Sequence, residues 1–205
     1  MGLREILGKL AFWRSSKPEP KKIRMPTDVQ VEKIKVAQAL CSKEPDTMTG
    51  YLRASEYLKK SGMEEEAWGY AQIWHIRRAE QIASVETDEK AKQIAAGRYL
   101  EEHGVFEEAD HCYARAGDLD SRIRIAENLG LEQTLKVLHR QKAGAICSQH
   151  ENPRQMARAA GKYLEDVGML EEAYSTYRMG LCMDDMLRVS EKLGRQIGSP
   201  NGEEE

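Results

Sequence analysis

The sequence has no run of about 18 apolar residues, so it predicts no transmembrane helix. Alternating runs of β-branched residues are also missing, and we therefore expect no β-sheet. Residues 1–13 are too short and too charged for a secretory signal. The four cysteines lie far apart without a CxxC pair, which indicates reduced thiols and a cytoplasmic protein.

Signatures of catalysis and of metal binding are scarce as well. The chain has no phosphate-binding glycine loop and no GxSxG, HExxH or EF-hand pattern. The closest groups of metal-ligand types are His103, His111 and Cys112, and the pair Cys147 and His150. These spacings match no zinc signature, and no general base is placed beside a cysteine. The sequence therefore predicts no catalytic site, no metal site and no cofactor.

Charge is distributed unevenly along the chain. The 205 residues carry a net charge of −3 at pH 7. Residues 1–26 hold seven Lys or Arg and two Glu, a balance of +5, so the rest of the chain carries −8. A basic segment joined to an acidic body indicates that the segment has an anionic partner of its own. The acidic body makes nucleic acid an unlikely partner.

The basic segment begins with an amphipathic stretch, GLREILGKLAFWR, at residues 2–14, which we call the arm. On a helical wheel five of its large apolar residues fall within an arc of about 120°, whereas Arg4 and Lys9 fall on the other side and Phe12 falls opposite the arc. The apolar residues of that arc are Leu3, Ile6, Leu7, Leu10 and Trp13. Residues 15–26, which contain three prolines, read as a linker.

Three interpretations of the arm stay open. In the first interpretation the arm binds an anionic membrane surface. A terminal tryptophan and the basic residues along 2–24 are typical of helices that bind such surfaces, and this binding would place the protein peripherally at the inner face of a membrane. An amphipathic helix also fits the groove of a partner protein. The third interpretation is an end cap on the chain's own helices, or a terminus that stays disordered.

The rest of the chain divides into a body and a tail. Thr27 and Asp28 are favourable N-caps, and helical spacing begins directly after them. We expect an all-α helical-repeat domain over residues 27–194, with about ten short amphipathic helices separated by glycine or proline. Residues 195–205, which end in GSPNGEEE, predict an acidic flexible tail.

One stretch of the body occurs twice. Residues 95–130 and 159–194 align without a gap and agree at 16 of 36 positions. We call the shift that places Ala95 on Ala159 the repeat offset. A weaker copy lies upstream at residues 53–74. Each copy has a Tyr-Leu pair, then a glycine, then an alanine ten residues after the tyrosine. The aligned tyrosines are Tyr57, Tyr99 and Tyr163. Such self-similarity predicts stacked supersecondary units.

The shared residues have the properties that helix packing requires. Tyr99 and Leu100 belong to the apolar stripe of a first helix. Gly104 ends that helix, because glycine takes the left-handed conformation without a side-chain penalty. In the next helix, Ala109 is expected to allow a close helix approach and Tyr113 to fill the space beyond it.

Recurring glutamates mark the starts of the second helices. Negative charge in a first helical turn interacts favourably with exposed amides and the helix dipole, by about 0.3–1 kcal/mol per charge. Catalytic carboxylates would instead have to converge in a cleft. The recurring residues are Glu64, Glu65, Glu66, Glu107, Glu108, Glu171 and Glu172. We interpret them as structural.

Together these positions resemble the helical hairpin of tetratricopeptide (TPR) and related repeats. The variant is irregular, because the spacing from Tyr57 to Tyr99 is shorter than that from Tyr99 to Tyr163. The matching residues are Leu58, Gly62 and Ala67 in the first copy, Gly97, Leu100, Gly104, Ala109, Tyr113 and Ala116 in the second, and Gly161, Leu164, Gly168, Ala173 and Tyr177 in the third. The resemblance covers residues 28–194. It implies a TPR-like right-handed α-solenoid, in which stacked hairpins share one core because a single hairpin cannot bury its own apolar face.

The resemblance also implies a mode of action. First helices of such hairpins line a concave surface, where polar residues pointing away from the apolar stripe can bind another protein or a peptide. The candidate groove residues are Glu56, Lys59, Arg98, Glu101, Lys162 and Glu165. The implied function is a non-catalytic protein–protein interaction scaffold or adaptor, with the arm as its membrane-binding element under the first interpretation above.

Two alternative functions remain. Trp68 and Trp74 lie near Arg77 and Arg78, a combination that can bind RNA by stacking and charge. The same residues also fit core tryptophans beside solvated arginines. An RNA-binding helical repeat and a regulatory or accessory subunit of an enzyme complex are therefore the alternatives to a scaffold.

The segment between the second and third copies is harder to interpret. Residues 131–158 have no counterpart between the first two copies in our alignment. They predict one more helix and a loop around Gly144 and Pro153. Insertions in repeat arrays often lie on a binding face.

Overall fold

A computed structural model describes residues 27–44 and 46–194 of the chain. All regular structure in these residues is α-helical, with ten helices and no strand, which confirms the all-α prediction. The helices are α1 (Asp28–Lys43), α2 (Thr47–Lys60), α3 (Glu64–Ala83), α4 (Glu89–Glu102), α5 (Phe106–Ala116), α6 (Leu119–Asn128), α7 (Glu132–Cys147), α8 (Pro153–Asp166), α9 (Leu170–Met179) and α10 (Met183–Lys192). The predicted arm and linker at 1–26 and the tail at 195–205 lie outside the described residues.

The described residues fold as two compact units, with the division between Ala116 and Gly117. Within the first unit the helices α1 to α5 pack in chain order, each on its neighbour, and α6 to α10 do the same within the second unit. Contact between sequence neighbours is typical of helical-repeat proteins. A single right-handed solenoid running through both units stays a prediction.

Side-chain caps set the starts of several helices. The amide of Gln30 donates to the Thr27 hydroxyl at 3.3 Å, and the amide of Thr27 donates to the Gln30 side chain at 2.9 Å. This reciprocal capping box satisfies two amides that have no partner inside the helix, and it confirms the predicted start at Thr27. The caps of α2, α4, α6 and α8 are Asp46, Asp88, Asp118 and Asn152.

Glycines in the left-handed conformation end the first helix of each copy. Gly62, Gly104 and Gly168 have φ angles of 74°, 74° and 80°. After α4, the amide of Val105 donates back to the Leu100 carbonyl at 2.9 Å across this turn. The hydrogen bond occupies a carbonyl that the helix itself leaves free, and the predicted helix ends are confirmed.

A tyrosine–glycine contact closes the second and third hairpins. The side chains of Tyr113 and Tyr177 are completely buried. A Cβ atom added to Gly97 would lie 2.9 Å from Cε1 of Tyr113, and one added to Gly161 would lie 2.6 Å from Cε1 of Tyr177. Each ring therefore fills the place of a side chain on the neighbouring helix. Ala109 is also completely buried, and the close helix approach expected there stays a prediction.

The repeat is longer than the near-copy in the sequence. The repeat offset places α3 on α7, α4 on α8, α5 on α9 and α6 on α10. It also places His75 on His139 and Ala79 on Ala143. Residues 131–158 thus have a counterpart at 67–94, and the prediction that they lack one is wrong. Helix α7 also continues through Gly144, so the expected loop is confined to the residues between α7 and α8.

The core of each unit is formed mainly by small and aliphatic side chains. In the first unit one cluster comprises Ala37, Ala54, Leu58, Met63, Ala67 and Tyr70. In the second unit the main cluster comprises Ala143, Ala157, Ala160, Leu164, Met169, Ala173, Tyr177, Cys182 and Val189. In each cluster small alanines lie beside large tyrosines, and a mixture of sizes of this kind fills a helical core closely.

Candidate interaction surfaces

The six predicted groove residues fall into two groups. Glu56, Lys59, Arg98 and Lys162 are exposed, as expected for residues that point away from the apolar stripe. Glu101 and Glu165 are not fully exposed and bond to buried tyrosines instead. Because the exposed residues belong to both units, their membership of one groove stays a prediction.

Glu165 lies at the centre of a charged network in the second unit. Its carboxylate, in a side chain only 7% exposed, accepts from Arg188 Nη2 at 2.7 Å, from Lys192 Nζ at 2.6 Å and from the Tyr177 hydroxyl at 3.1 Å. The hydrogen bond from Arg188 is the main reason that the pKa of Glu165 falls from 4.5 to about 2, against the opposing effect of burial. This carboxylate joins α8 to α10, and its membership of a partner-binding groove stays a prediction.

Asp185 extends the same network. Its two oxygens accept from Arg158 Nε and from Arg188 Nη1, each at 2.9 Å. The side chain of Arg188 therefore joins two carboxylates, and these contacts raise its own pKa, with the Glu165 hydrogen bond as the largest cause. Arg158 and Asp185 connect α8 with α10 a second time. Because burying an unpaired carboxylate costs free energy of folding, paired arginines of this kind stabilise the buried Asp185.

The first unit contains the equivalent tyrosine–glutamate bond. The hydroxyl of Tyr113 donates to Glu101 Oε2 at 2.8 Å, and the repeat offset places this pair on Tyr177 and Glu165. A buried phenol needs a partner for its hydroxyl, and the glutamate four residues after the helical glycine supplies it. The sequence contained this signal as a glycine, glutamate and tyrosine at constant spacing in both copies.

A second recurring contact joins each hairpin to the helix before it. Nδ1 of His75 on α3 lies 3.1 Å from the Tyr99 hydroxyl on α4, and Nδ1 of His139 on α7 lies 2.6 Å from the Tyr163 hydroxyl on α8. Neither histidine was singled out from the sequence. The two histidines are separated by the repeat offset, and this is the feature that could have identified them.

In the first unit the histidine belongs to an aromatic cluster. The His75 ring centroid lies 4.8 Å from that of Trp74 and 4.5 Å from that of His103, and the Tyr99 and His103 centroids are 4.2 Å apart. Burial and, to a smaller extent, His103 lower the pKa of His75. Both tryptophans of this region are half-buried. Arg77 forms an exposed ion pair with Glu80 within α3 at 3.0 Å.

The second unit has an apolar cavity of 390 Å³ between α7, α8 and α9. On one side Arg140 Nη2 donates to Glu172 Oε1 at 2.7 Å, which lowers the pKa of Glu172. The lining residues are Arg140, Ala143, Gly144, Cys147, Ala160, Leu164, Glu171, Glu172, Ser175, Thr176 and Met179. A polar cavity of 500 Å³ lies in the first unit, at the start of α2 and the end of α3.

A strip of large apolar side chains is exposed at the end of α9 and along α10. The exposed fractions are 79% for Met179, 73% for Leu181, 58% for Met183 and 46% for Leu187. Among the described residues, Leu181 is the one non-glycine with a positive φ, at 53°. Large apolar side chains exposed at neighbouring positions of a folded unit are candidates for a binding surface.

Two general features of the described residues complete the description of the surface. No three His, Cys, Asp or Glu side chains in this part of the chain are arranged to hold a metal ion. None of the helices α1 to α10 has the length and apolar character needed to cross a bilayer.

Comparison with protein-family models, with curated proteins and with solved structures gives no match for this chain. The TPR-like resemblance therefore stays a prediction.

Proposed function

We propose that the protein is a non-catalytic interaction scaffold or adaptor, built on TPR-like helical repeats, that binds another protein or a peptide. The observation that carries the proposal is the repeated glycine, glutamate and tyrosine of the two long copies. In each copy these residues join one helix to the next. The residues that recur therefore build the helical framework, and the residues that vary on its surface are free to recognise partners.

The candidate groove supports a partner with acidic groups. Arg98 on α4 and Lys162 on α8 are exposed and occupy equivalent positions, related by the repeat offset. Cations at equivalent places on two repeats can each contact an acidic group of a partner. Lys162 also pairs with Asp166 at 3.3 Å, but both side chains are well exposed, so a partner's carboxylate can compete for it.

Affinity capture from a lysate tests the scaffold function. The wild-type chain is compared with a chain carrying both Arg98→Glu and Lys162→Glu. We expect wild type to retain at least one polypeptide that the double variant loses. An unchanged set of captured proteins would remove the groove assignment, and capture of nothing at all by wild type would contradict the scaffold function.

The arm adds membrane association to the proposal. Its charge balance of +5 over residues 1–26 favours anionic lipid, by about 1 kcal/mol for each basic residue near the surface. Sedimentation with anionic vesicles tests this point, with the full chain compared with a chain that starts at Met25. Binding by the full chain alone is the expected result. If both chains stay in the supernatant, the arm does not bind membranes.

A further inference from the structure

Helix α10 exposes a face that is covered on its counterpart α6. In α6, Ile123 is 8% exposed and packs with Ala126 against Leu138 of α7. Leu119 and Leu135 pack against the same cluster. The apolar face of α6 is therefore covered by the helix that follows it.

The equivalent residues of α10 have no such cover among the described residues. Met183 corresponds to Leu119 and is 58% exposed, and Leu187 corresponds to Ile123 and is 46% exposed. The other side of the helix is buried as in α6. Val189, at the position of Ile125, is completely buried. The two helices thus differ at two positions of the face where α7 lies against α6, whereas Ser190, at the position of Ala126, is only 1% exposed. We call Met183, Asp184 and Leu187 the α10 face.

An acidic residue is also found at equivalent positions of α6 and α10. Asp120 on α6 forms an ion pair with Lys142 of α7. Asp184 is the equivalent residue of α10 and is exposed. A helix that covered the α10 face as α7 covers α6 would therefore bring a cation to Asp184.

The turn before α10 enlarges this apolar surface at an energetic cost. Leu181 stands where the upstream copy has Gly117, and both residues have a positive φ, 53° and 69°. A leucine in the left-handed region is strained, because its Cβ atom lies too close to the following carbonyl oxygen. Its side chain is also mostly exposed, so the leucine gains little from burial in this unit. Backbone strain combined with apolar exposure indicates a residue kept for contact with something else.

The segment that follows α10 does not carry the residues of α7. The repeat offset places Ser199 and Gly202 at the positions of Leu135 and Leu138. Residues 195–205 therefore lack the apolar pair that covers α6.

We propose that the α10 face docks an amphipathic helix of a partner protein, in the way that α7 docks on α6. The helix carries two apolar residues three positions apart and a basic residue seven positions after the first, the arrangement of Leu135, Leu138 and Lys142. The apolar pair packs on Met183 and Leu187, and the basic residue pairs with Asp184. This docking site rests on the proposed scaffold function and assigns it a surface and a class of partner.

A peptide of residues 131–147, the α7 sequence, is the probe. It is labelled and stapled on the side opposite Leu135, because an isolated helix of this length is marginal in water. Fluorescence anisotropy with the full chain is expected to show saturable binding. Leu187→Glu should weaken that binding at least tenfold, because it places a charge in the apolar contact. Val85→Glu, at a residue that is 81% exposed in the other unit, should leave it unchanged.

A charge exchange tests the orientation of the peptide. Asp184→Lys should weaken binding of the wild-type peptide, and a peptide with Lys142→Glu should recover at least part of the loss. Far-UV circular dichroism of each variant verifies that the fold is kept. Recovery of this kind requires the two residues to be neighbours in the complex.

Three results would overturn the proposal. They are no binding at up to about 1 mM peptide, binding that survives Leu187→Glu, and self-association of the full chain that Leu187→Glu abolishes. The last result would assign the face to a second copy. The scaffold function is tested separately, because a protein captured equally by wild type and Leu187→Glu would support that function through another surface.

Discussion

Gly161 of α8 lies directly against the ring of Tyr177 of α9, so close that a Cβ atom on the glycine would be 2.6 Å from Cε1 of the tyrosine. Glycine is therefore required here by space, and its backbone conformation is an ordinary helical one. The ring is completely buried and its hydroxyl is held by Glu165, so it cannot move aside without losing that bond.

Gly161→Ala is expected to destabilise the protein by about 1–3 kcal/mol, because the added methyl group overpacks a closed contact. Gly144→Ala is the matched control. Gly144 is an exposed residue within α7 with no atom within 4 Å of an added Cβ. The control should stabilise the protein by about 0.5–1 kcal/mol through better helix propensity. Urea denaturation measures both, and equal effects of the two substitutions would contradict the packing account.

Glu165→Gln is expected to destabilise the protein by about 1–3 kcal/mol at neutral pH, because Arg188 and Lys192 lose their shared carboxylate. The pKa of Glu165 is lowered from 4.5 in the unfolded chain to about 2 in the folded protein. Its contribution is therefore fully present above pH 4.5 and is lost as the pH falls through 4.5 towards 2.

Urea denaturation as a function of pH checks this expectation. The difference in stability between wild type and Glu165→Gln should shrink as the pH falls below 4.5. Asp166→Asn is the control, since Asp166 pairs with Lys162 at the surface and should change stability by no more than about 0.5 kcal/mol. A difference that stays constant down to pH 3 would show that Glu165 is not held as a charged acceptor.

His75 gives the first unit a pH dependence of its own. Burial and the neighbouring His103 lower its pKa below the ordinary value of 6.5. The unfolded chain then binds a proton more readily, so the contribution of neutral His75 is present above pH 6.5 and is lost as the pH falls through its folded pKa. His75→Gln should flatten the loss of stability below pH 6.5. Equal slopes in wild type and His75→Gln would contradict the prediction.

Leu181→Gly should stabilise the second unit, by up to about 1 kcal/mol, because glycine takes the left-handed conformation without strain. The reverse change at the equivalent position, Gly117→Leu, should destabilise the protein by a similar amount. Thermal unfolding of both variants measures the difference. A loss of stability in Leu181→Gly would mean that the leucine side chain stabilises this unit, and it would weaken the argument that it serves a partner.

Local signals made helix boundaries predictable from the sequence. The capping pair at Thr27 and the left-handed Gly104 act within a few residues of themselves, so their effect can be read without knowing the fold. The all-α class was predictable from the helical spacing, from the glycines and prolines that separate the helices, and from the missing β-type alternation. Helical periodicity likewise predicted that Tyr99 and Leu100 belong to one apolar stripe.

Contacts between distant residues were not predictable in this way. The ion pairs of Glu165 could not be predicted, because Arg188 and Lys192 lie on another helix more than twenty residues along the chain. The role of α7 was missed because few of its residues are identical to those of α3. His139 and Ala143 are nevertheless at the correct spacing, so a search for recurring contact residues, rather than overall identity, would have found the longer repeat.

Two double-mutant cycles test most directly the claim that the recurring residues build the same helical contact twice. One cycle combines Gly97→Ala with Tyr113→Ala, and the other combines Gly161→Ala with Tyr177→Ala. We expect coupling energies of about 1–3 kcal/mol with the same sign in both cycles, because the alanine methyl group clashes only while the ring is present. Additive effects in either cycle would contradict the shared contact and, with it, the helical-repeat framework on which the scaffold function depends.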